Sequence, residues 1–115
     1  MREEVRDKSR LEHILECIDN IVEFTKEISY NDLLTNKILN FAVIKNLEII
    51  GEASYKITKE FKAKHPEIEW RVIINLRHVL VHGYYKIKQE VIWDIIQKDL
   101  QPLKEQIQMI YDNEN

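Results

Sequence analysis

Glycine and proline are scarce in this 115-residue chain, two of each, and so few cannot supply the turns of a sandwich or barrel built from many short strands. The same scarcity excludes collagen-like and flexible low-complexity chain. The single cysteine, Cys17, leaves no intramolecular disulfide framework and no multi-cysteine zinc site. No apolar run approaches the length of a membrane-spanning helix, and the opening MREEVRDKSR mixes both charge signs without the apolar core of a signal peptide. A cytoplasmic protein without a membrane partner is the expectation. An excess of basic charge is missing too: 17 Lys and Arg stand against 20 Asp and Glu, a net of −3. Such a chain has no global attraction for nucleic acid, so any contact of that kind must be local.

What is present is helical periodicity. Hydrophobic residues make up 44% of the chain and charged residues 32%, and 115 residues suit one domain, 1–115, with a real core. Leu11, Ile14, Leu15, Ile18, Ile21, Val22 and Ile28 recur at steps of three and four, predicting a helix over about 8–29. Tyr30, Asn31 and Asp32 read as a turn, with Asp32 or Thr35 as a cap for the next helix. A second pattern over 35–62 places Ile38, Phe41, Ala42, Leu47, Ile50, Ala53, Ser54, Ile57 and Phe61 inward, and the small run Gly51, Ala53, Ser54 suggests a close helix crossing. His65-Pro66 stops that helix, because the residue before a proline is pushed out of the α region. Glu67 to His82 form the next, with Gly83 where a C-terminal cap is wanted. From about Gln89 a last amphipathic pattern runs to the C-terminus, and Pro102 must bend it or restart it with Asp99 as cap. The fold class is all-α, an antiparallel bundle of four to five helices.

The helix from Trp70 to His82 carries the chemistry. At about 100° per residue, Arg71, Asn75, His78 and His82 share one polar stripe, and most of the rest is apolar. Arg77 projects from the apolar arc, about 140° from His82. An arginine cannot shed its charge, so it needs a carboxylate, a phosphate or another subunit's surface there. Glu48 or Glu52 on the preceding helix could supply an internal ion pair, the plain packing explanation. His82 stands at a helix C-terminus, where its pKa can move within the neutral range, and by itself it reads equally as a capping or surface residue. His78 and His82 are four apart and could share a metal, but no spaced third and fourth ligands and no H-E-x-x-H accompany them. Beyond Gly83, the aromatics Tyr84 and Tyr85 with Lys86 and Lys88 form a cluster suited to stacking bases and contacting phosphates, or to anchoring a loop with solvated lysines beyond it.

Arg77-His78-Val79-Leu80-Val81-His82-Gly83-Tyr84 spells R-x4-H-x-Y, which resembles the signature of the HepT-like toxins, a branch of the HEPN ribonuclease superfamily. The stretches LEHILECIDNI, NFAVIKNLEIIGEASYKI, KHPEIEWRVIINLRHVLVHGYY and IWDIIQKDLQPLKEQI are similar to that family in the same order, so the resemblance covers almost the whole chain. His78 and Gly83 depart from it, standing where the family commonly has a polar residue, often asparagine, and a polar or acidic one.

The resemblance implies a HEPN-like bundle that forms a homodimer, with two copies of the motif helix facing a shared cleft. It implies the toxin of a type II or VII toxin-antitoxin pair, an endoribonuclease that cleaves RNA without metal or cofactor. The implied partner is a minimal nucleotidyltransferase antitoxin that silences the enzyme by transferring AMP from ATP onto Tyr84. Arg77 and His82 would then be catalytic, with His78, Asn75, Arg71, Lys86, Lys88, Glu48 and Glu52 as supporting or RNA-binding candidates. Two other readings compete. One is a catalytically silent helical module that presents substrate or nucleotide to a nucleotidyltransferase; the other is plain helical dimerisation with Arg77 held by Glu48 or Glu52.

Overall fold

A computed structural model describes residues 2–82 and 88–113, except for the side chains of residues 2–5, 77–79, 81 and 82. Every regular element among the described residues is helical. The long helices are α1 (Arg2–Thr25), α3 (Lys37–Lys56) and α5 (Trp70–His82), with short α2 (Tyr30–Thr35) and α4 (Lys59–Lys64) between them. A last rod is built from α6 (Gln89–Asp94), a π-helical turn (Ile95–Asp99) and α7 (Leu100–Asn113).

The polar contacts fix the directions. Along α1 and α3, Asn20 donates to Asn46 at 3.2 Å, while Asp7 at the start of α1 meets Thr58 just beyond the end of α3. Along α1 and α7, Lys104 pairs with Asp19 at 2.7 Å and the Tyr111 hydroxyl donates to Glu12. Early residues of one helix therefore meet late residues of the other, which is antiparallel packing. The core runs from Leu11, Ile14, Ile18 and Ile21 of α1 through Val43, Leu47 and Ile50 of α3 to Ile73 and Leu80 of α5, closed by Ile92, Leu100, Ile107 and Ile110. Gly51, Ala53 and Ser54 are buried as expected, where α3 lies between its neighbours.

Several expectations are corrected, first those on where the early helices begin and end. The first helix ends at Thr25, whose hydroxyl donates to the Ile21 carbonyl at 2.7 Å, and the expected turn at 30–32 is itself helical. Ser29 caps α2 in a reciprocal box: its hydroxyl accepts the Asp32 N–H at 3.1 Å and the Asp32 carboxylate accepts the Ser29 N–H at 2.9 Å. Asn36, rather than Asp32 or Thr35, caps α3 by accepting the Leu39 N–H at 3.0 Å. The expected single helix over 35–62 breaks at extended Ile57, and Thr58 caps α4.

Ile38 and Phe41, expected inside, are 82% and 70% exposed. Periodicity detects an apolar stripe without saying which side of the helix meets the core. Val43, Leu47 and Ile50 form the buried stripe, and Ile38 and Phe41 fall about 140° and 160° around the helix from Val43. Asp99 does not cap a restarted helix at Pro102, because it lies inside a π-helical turn that runs on into α7. A proline lacks an N–H and its ring crowds the carbonyl four residues earlier. The π turn just before it makes room by shifting the hydrogen bonds one residue further, Leu100 N–H reaching the Ile95 carbonyl.

Candidate active site on helix α5

Helix α5 begins where the His65-Pro66 break ends, at Trp70 instead of Glu67. The Trp70 indole N–H donates to the His65 carbonyl at 3.0 Å and its backbone N–H to the Ile68 carbonyl at 2.9 Å, which pins the entry. Val72 and Ile73 N–H groups then close on the Glu69 carbonyl. The helix continues through the Arg77 and His82 positions without a break.

Burial divides its faces. Trp70, Ile73 and Leu80 are buried, whereas Arg71 and Asn75 are exposed and Val72 is 60% exposed. Carrying the 3.6-residue repeat forward, His78 and His82 take the register of Arg71 and Asn75, on the free side. Arg77 takes the register of Trp70, seven residues earlier, on the core side. Both motif positions thus lie on the one helix. The side chains of Arg77, His78 and His82 lie outside the described residues, as do Tyr84 and Lys86 altogether.

Of the remaining candidates, Lys88 is exposed at the N-cap of α6. Glu48 is about a quarter exposed and lies 3.7 Å from Lys45, and Glu52 lies 3.5 Å from Lys56. Both acidic groups on α3 therefore already face a lysine of their own helix. Among the described residues no group of three or more His, Cys, Asp and Glu side chains stands together as a metal site. No described helix is long and apolar enough to cross a membrane. A groove of about 430 Å³ opens beside the first half of α5, lined by Val72 and Leu76 and by Leu100 and Leu103 of the last rod.

A polar clasp just beyond the motif has no signature in the sequence. Asn40 of α3 donates from Nδ2 to the Leu33 carbonyl at 3.1 Å and to Oε1 of Gln89 at 2.6 Å. Beside it the Tyr30 hydroxyl donates to Glu90 at 3.2 Å, and the Tyr30 ring tilts against Trp93 with centroids 5.9 Å apart. Desolvation first, then the charge and hydrogen bond of Glu90, raise the Tyr30 phenol above its ordinary pKa. A lone asparagine in a helix and a partner 49 residues later make no recognisable spacing.

Comparison with known proteins gives this geometry a family. The family described as Ribonuclease HepT-like matches residues 14–110, which include the whole of α5. A protein of Thermococcus cleftensis named for ribonuclease HepT is 46% identical over 97 residues, covering 84% of this chain and 88% of its own length. A protein of Methanocaldococcus jannaschii named for an RNase is 39% identical over 103 residues, 90% of this chain and 94% of its own. Another with an RNase name, from Caldanaerobacter subterraneus subsp. tengcongensis, is 36% identical over 104 residues, 90% and 93% of the two chains. No solved structure matches the chain.

Proposed function

Since the chain belongs to the HepT-like ribonuclease family, and is by that membership an RNA-cleaving enzyme, we propose that it is the toxin of a type II or VII toxin-antitoxin pair, cutting RNA internally through its R-x4-H-x-Y motif. The observation that carries this reading is the family match across α5, a helix that runs unbroken through Arg77 and His82 and so sets both on one rigid element.

The chemistry is that of the residue types. Attack of the RNA 2′-hydroxyl on the adjacent phosphorus forms the new O–P bond and expels the 5′-oxygen of the next nucleotide. One proton must leave the 2′-oxygen and another must reach the leaving oxygen. An imidazole with a pKa near neutrality suits that transfer, which is the role of His82. Charge grows on the non-bridging phosphate oxygens, and the Arg77 guanidinium can hold two of them at once. No step requires a metal.

Two copies of the chain complete the site. Val72 on the free side of α5 and Ile38 and Phe41 on α3 expose apolar surface that a second copy would cover. Dimerisation would bring two motif helices to one cleft and double its positive charge. With a net charge of −3, RNA affinity then rests on Arg71, Arg77, Lys86 and Lys88 at that cleft, with Asn75 and His78 as polar neighbours. The antitoxin, a minimal nucleotidyltransferase, would transfer AMP from ATP to the Tyr84 hydroxyl and release pyrophosphate. The added phosphate and bulk lie two residues from His82, and repulsion and occlusion of the RNA backbone would silence the enzyme.

The test is RNA cleavage by the purified protein in EDTA, together with its intact mass after coexpression with a minimal nucleotidyltransferase. Cleavage, and adenylyl increments on wild type that vanish in Tyr84→Phe, are expected. Tight nucleotide binding without RNA cleavage at any pH would favour the silent binding module instead.

A further inference from the structure

The groove of about 430 Å³ between the first half of α5 and the last rod takes no part in the chemistry proposed for Arg77 and His82. Its floor is apolar: Leu76 of α5 and Ile95 and Leu103 of the rod are half-buried, and Leu100 is buried at the bottom. Val72 stands at the lip, where the groove meets the free face of α5. One wall is the π-helical turn Ile95–Asp99, a kind of turn found frequently at functional sites. The volume falls in the range of binding clefts.

The rim is acidic. The connection from α4 into α5 brings exposed Glu67 and Glu69 to one side, and the π turn brings exposed Asp99 to the other. Glu67 also faces His65 at 3.5 Å. Lys98 is the one cation among the described lining residues, and it lies 3.7 Å from Asp94 of its own rod. The carboxylates therefore set the potential at the mouth of the groove.

That charge decides what fits. RNA and anionic lipid surfaces bring phosphates, which the carboxylates repel. A second copy meeting the groove across a two-fold axis would set the same carboxylates against each other, and a head-to-tail contact would leave a groove open to propagate. A cationic partner with an apolar face satisfies both parts of the groove, its hydrophobic side chains covering the floor and its Lys or Arg reaching the rim.

We propose that this groove docks a basic amphipathic helix of another protein, with Leu, Ile or Met anchors three and four residues apart and Lys or Arg on either flank. The anchors displace water from Leu76, Leu100 and Leu103. The flanking cations pair with Glu67 and Glu69 on one side and with Asp99 on the other. These carboxylates govern which partner is accepted and in which orientation, and the apolar floor supplies most of the affinity. Neither the floor nor the rim depends on the ribonuclease reading.

The probe is a fluorescein-labelled helical peptide of about 18 residues, with leucines on one stripe and lysines elsewhere. Two controls keep its length: one scatters the leucines off the stripe, and the other replaces lysine by glutamate. At about 0.15 M salt the probe should bind the 115-residue protein at least about tenfold more tightly than either control. Glu69→Lys with Asp99→Lys, folded as judged by circular dichroism, should weaken binding about tenfold or more, and Glu69→Gln with Asp99→Asn should weaken it less. In methyl NMR the Leu76, Leu100 and Leu103 signals should move on titration, while those of Ile14 and Ile18 in α1 stay in place. Equal binding of the scattered-leucine peptide, wild-type affinity in both double variants, or shifts confined to other methyls would overturn the proposal. So would movement of the Leu76, Leu100 and Leu103 signals with protein concentration alone, which puts a second copy in the groove, or with single-stranded RNA, which puts nucleic acid there. A wild-type protein that cleaves no RNA would sink the ribonuclease reading and leave the peptide result standing.

Discussion

Asp7 in α1 accepts both the backbone N–H of Thr58, at 2.9 Å, and its hydroxyl, at 2.6 Å, across 51 residues of chain. The Asp7 side chain is 2% exposed, and Arg10 lies 3.6 Å from it while donating to the Lys56 carbonyl. One buried carboxylate thus ends α3, starts α4 and ties both to α1. Asp7→Ala should lower stability by about 1.5–3 kcal/mol, the range for hydrogen bonds to a charged group. Urea unfolding checks this, and Asp7→Ala with Thr58→Ala together should cost less than the sum of the two.

Ser54 is fully buried on α3, and its hydroxyl has no hydrogen-bond partner among the described residues. Removing an unsatisfied polar atom from a core avoids its desolvation penalty. Ser54→Ala should therefore leave stability unchanged or raise it by up to about 1 kcal/mol, read from the same unfolding curves.

Cys17 is 2% exposed in the core, and burial first, then the neighbouring charge of Glu16, push its thiol up to about 11. The thiolate is the reactive form. Alkylation by iodoacetamide at neutral pH should be negligible in the folded protein and complete once it is unfolded.

Tyr30 and Tyr111 both have raised phenol pKa values. At Tyr30 desolvation leads and Glu90 follows; at Tyr111 the hydrogen bond to Glu12 leads. A raised acid pKa means that the folded state holds the proton more tightly than the unfolded one. The stability these phenols contribute is complete below their unfolded value, about 10, and is lost as pH rises through the folded values. Thermal melts should show a decline above pH ~10 that is smaller in Tyr30→Phe with Tyr111→Phe.

Local signals were enough to read α5 and were not enough to read α3. Pro66 marks one end of α5 and the motif the other, so a helix there and the exposure of Arg71 and Asn75 are legible from adjacent residues, although the helix starts at Trp70, three residues later than Glu67. The break after Lys56 depends on Asp7, 51 residues away from Thr58, and a helical period passes straight over it. Ile38 and Phe41 misled because α3 carries apolar residues on two sides and only the neighbouring α1 and α5 decide which is inside. The Ser29 and Asp32 box was visible as a serine followed three residues later by an acid, a signal overshadowed by the turn-forming Tyr30-Asn31-Asp32. Pro102 obeyed its local rule in an unexpected way, through the π turn. At the site, the R-x4-H-x-Y spacing was legible because both residues share one helix, and the Asn40–Gln89 pair was not, because only tertiary packing brings it together.

The most direct measurement is the rate of RNA cleavage in EDTA by wild type, Arg77→Ala and His82→Ala, each with helical circular dichroism equal to wild type. Wild type should cleave with and without EDTA, and each variant should lose about a hundredfold to ten-thousandfold in kcat, the scale of a lost proton-transfer group or phosphate clamp. Folded Arg77→Ala and His82→Ala proteins that cleave RNA as fast as wild type would contradict the assignment of the site to this helix.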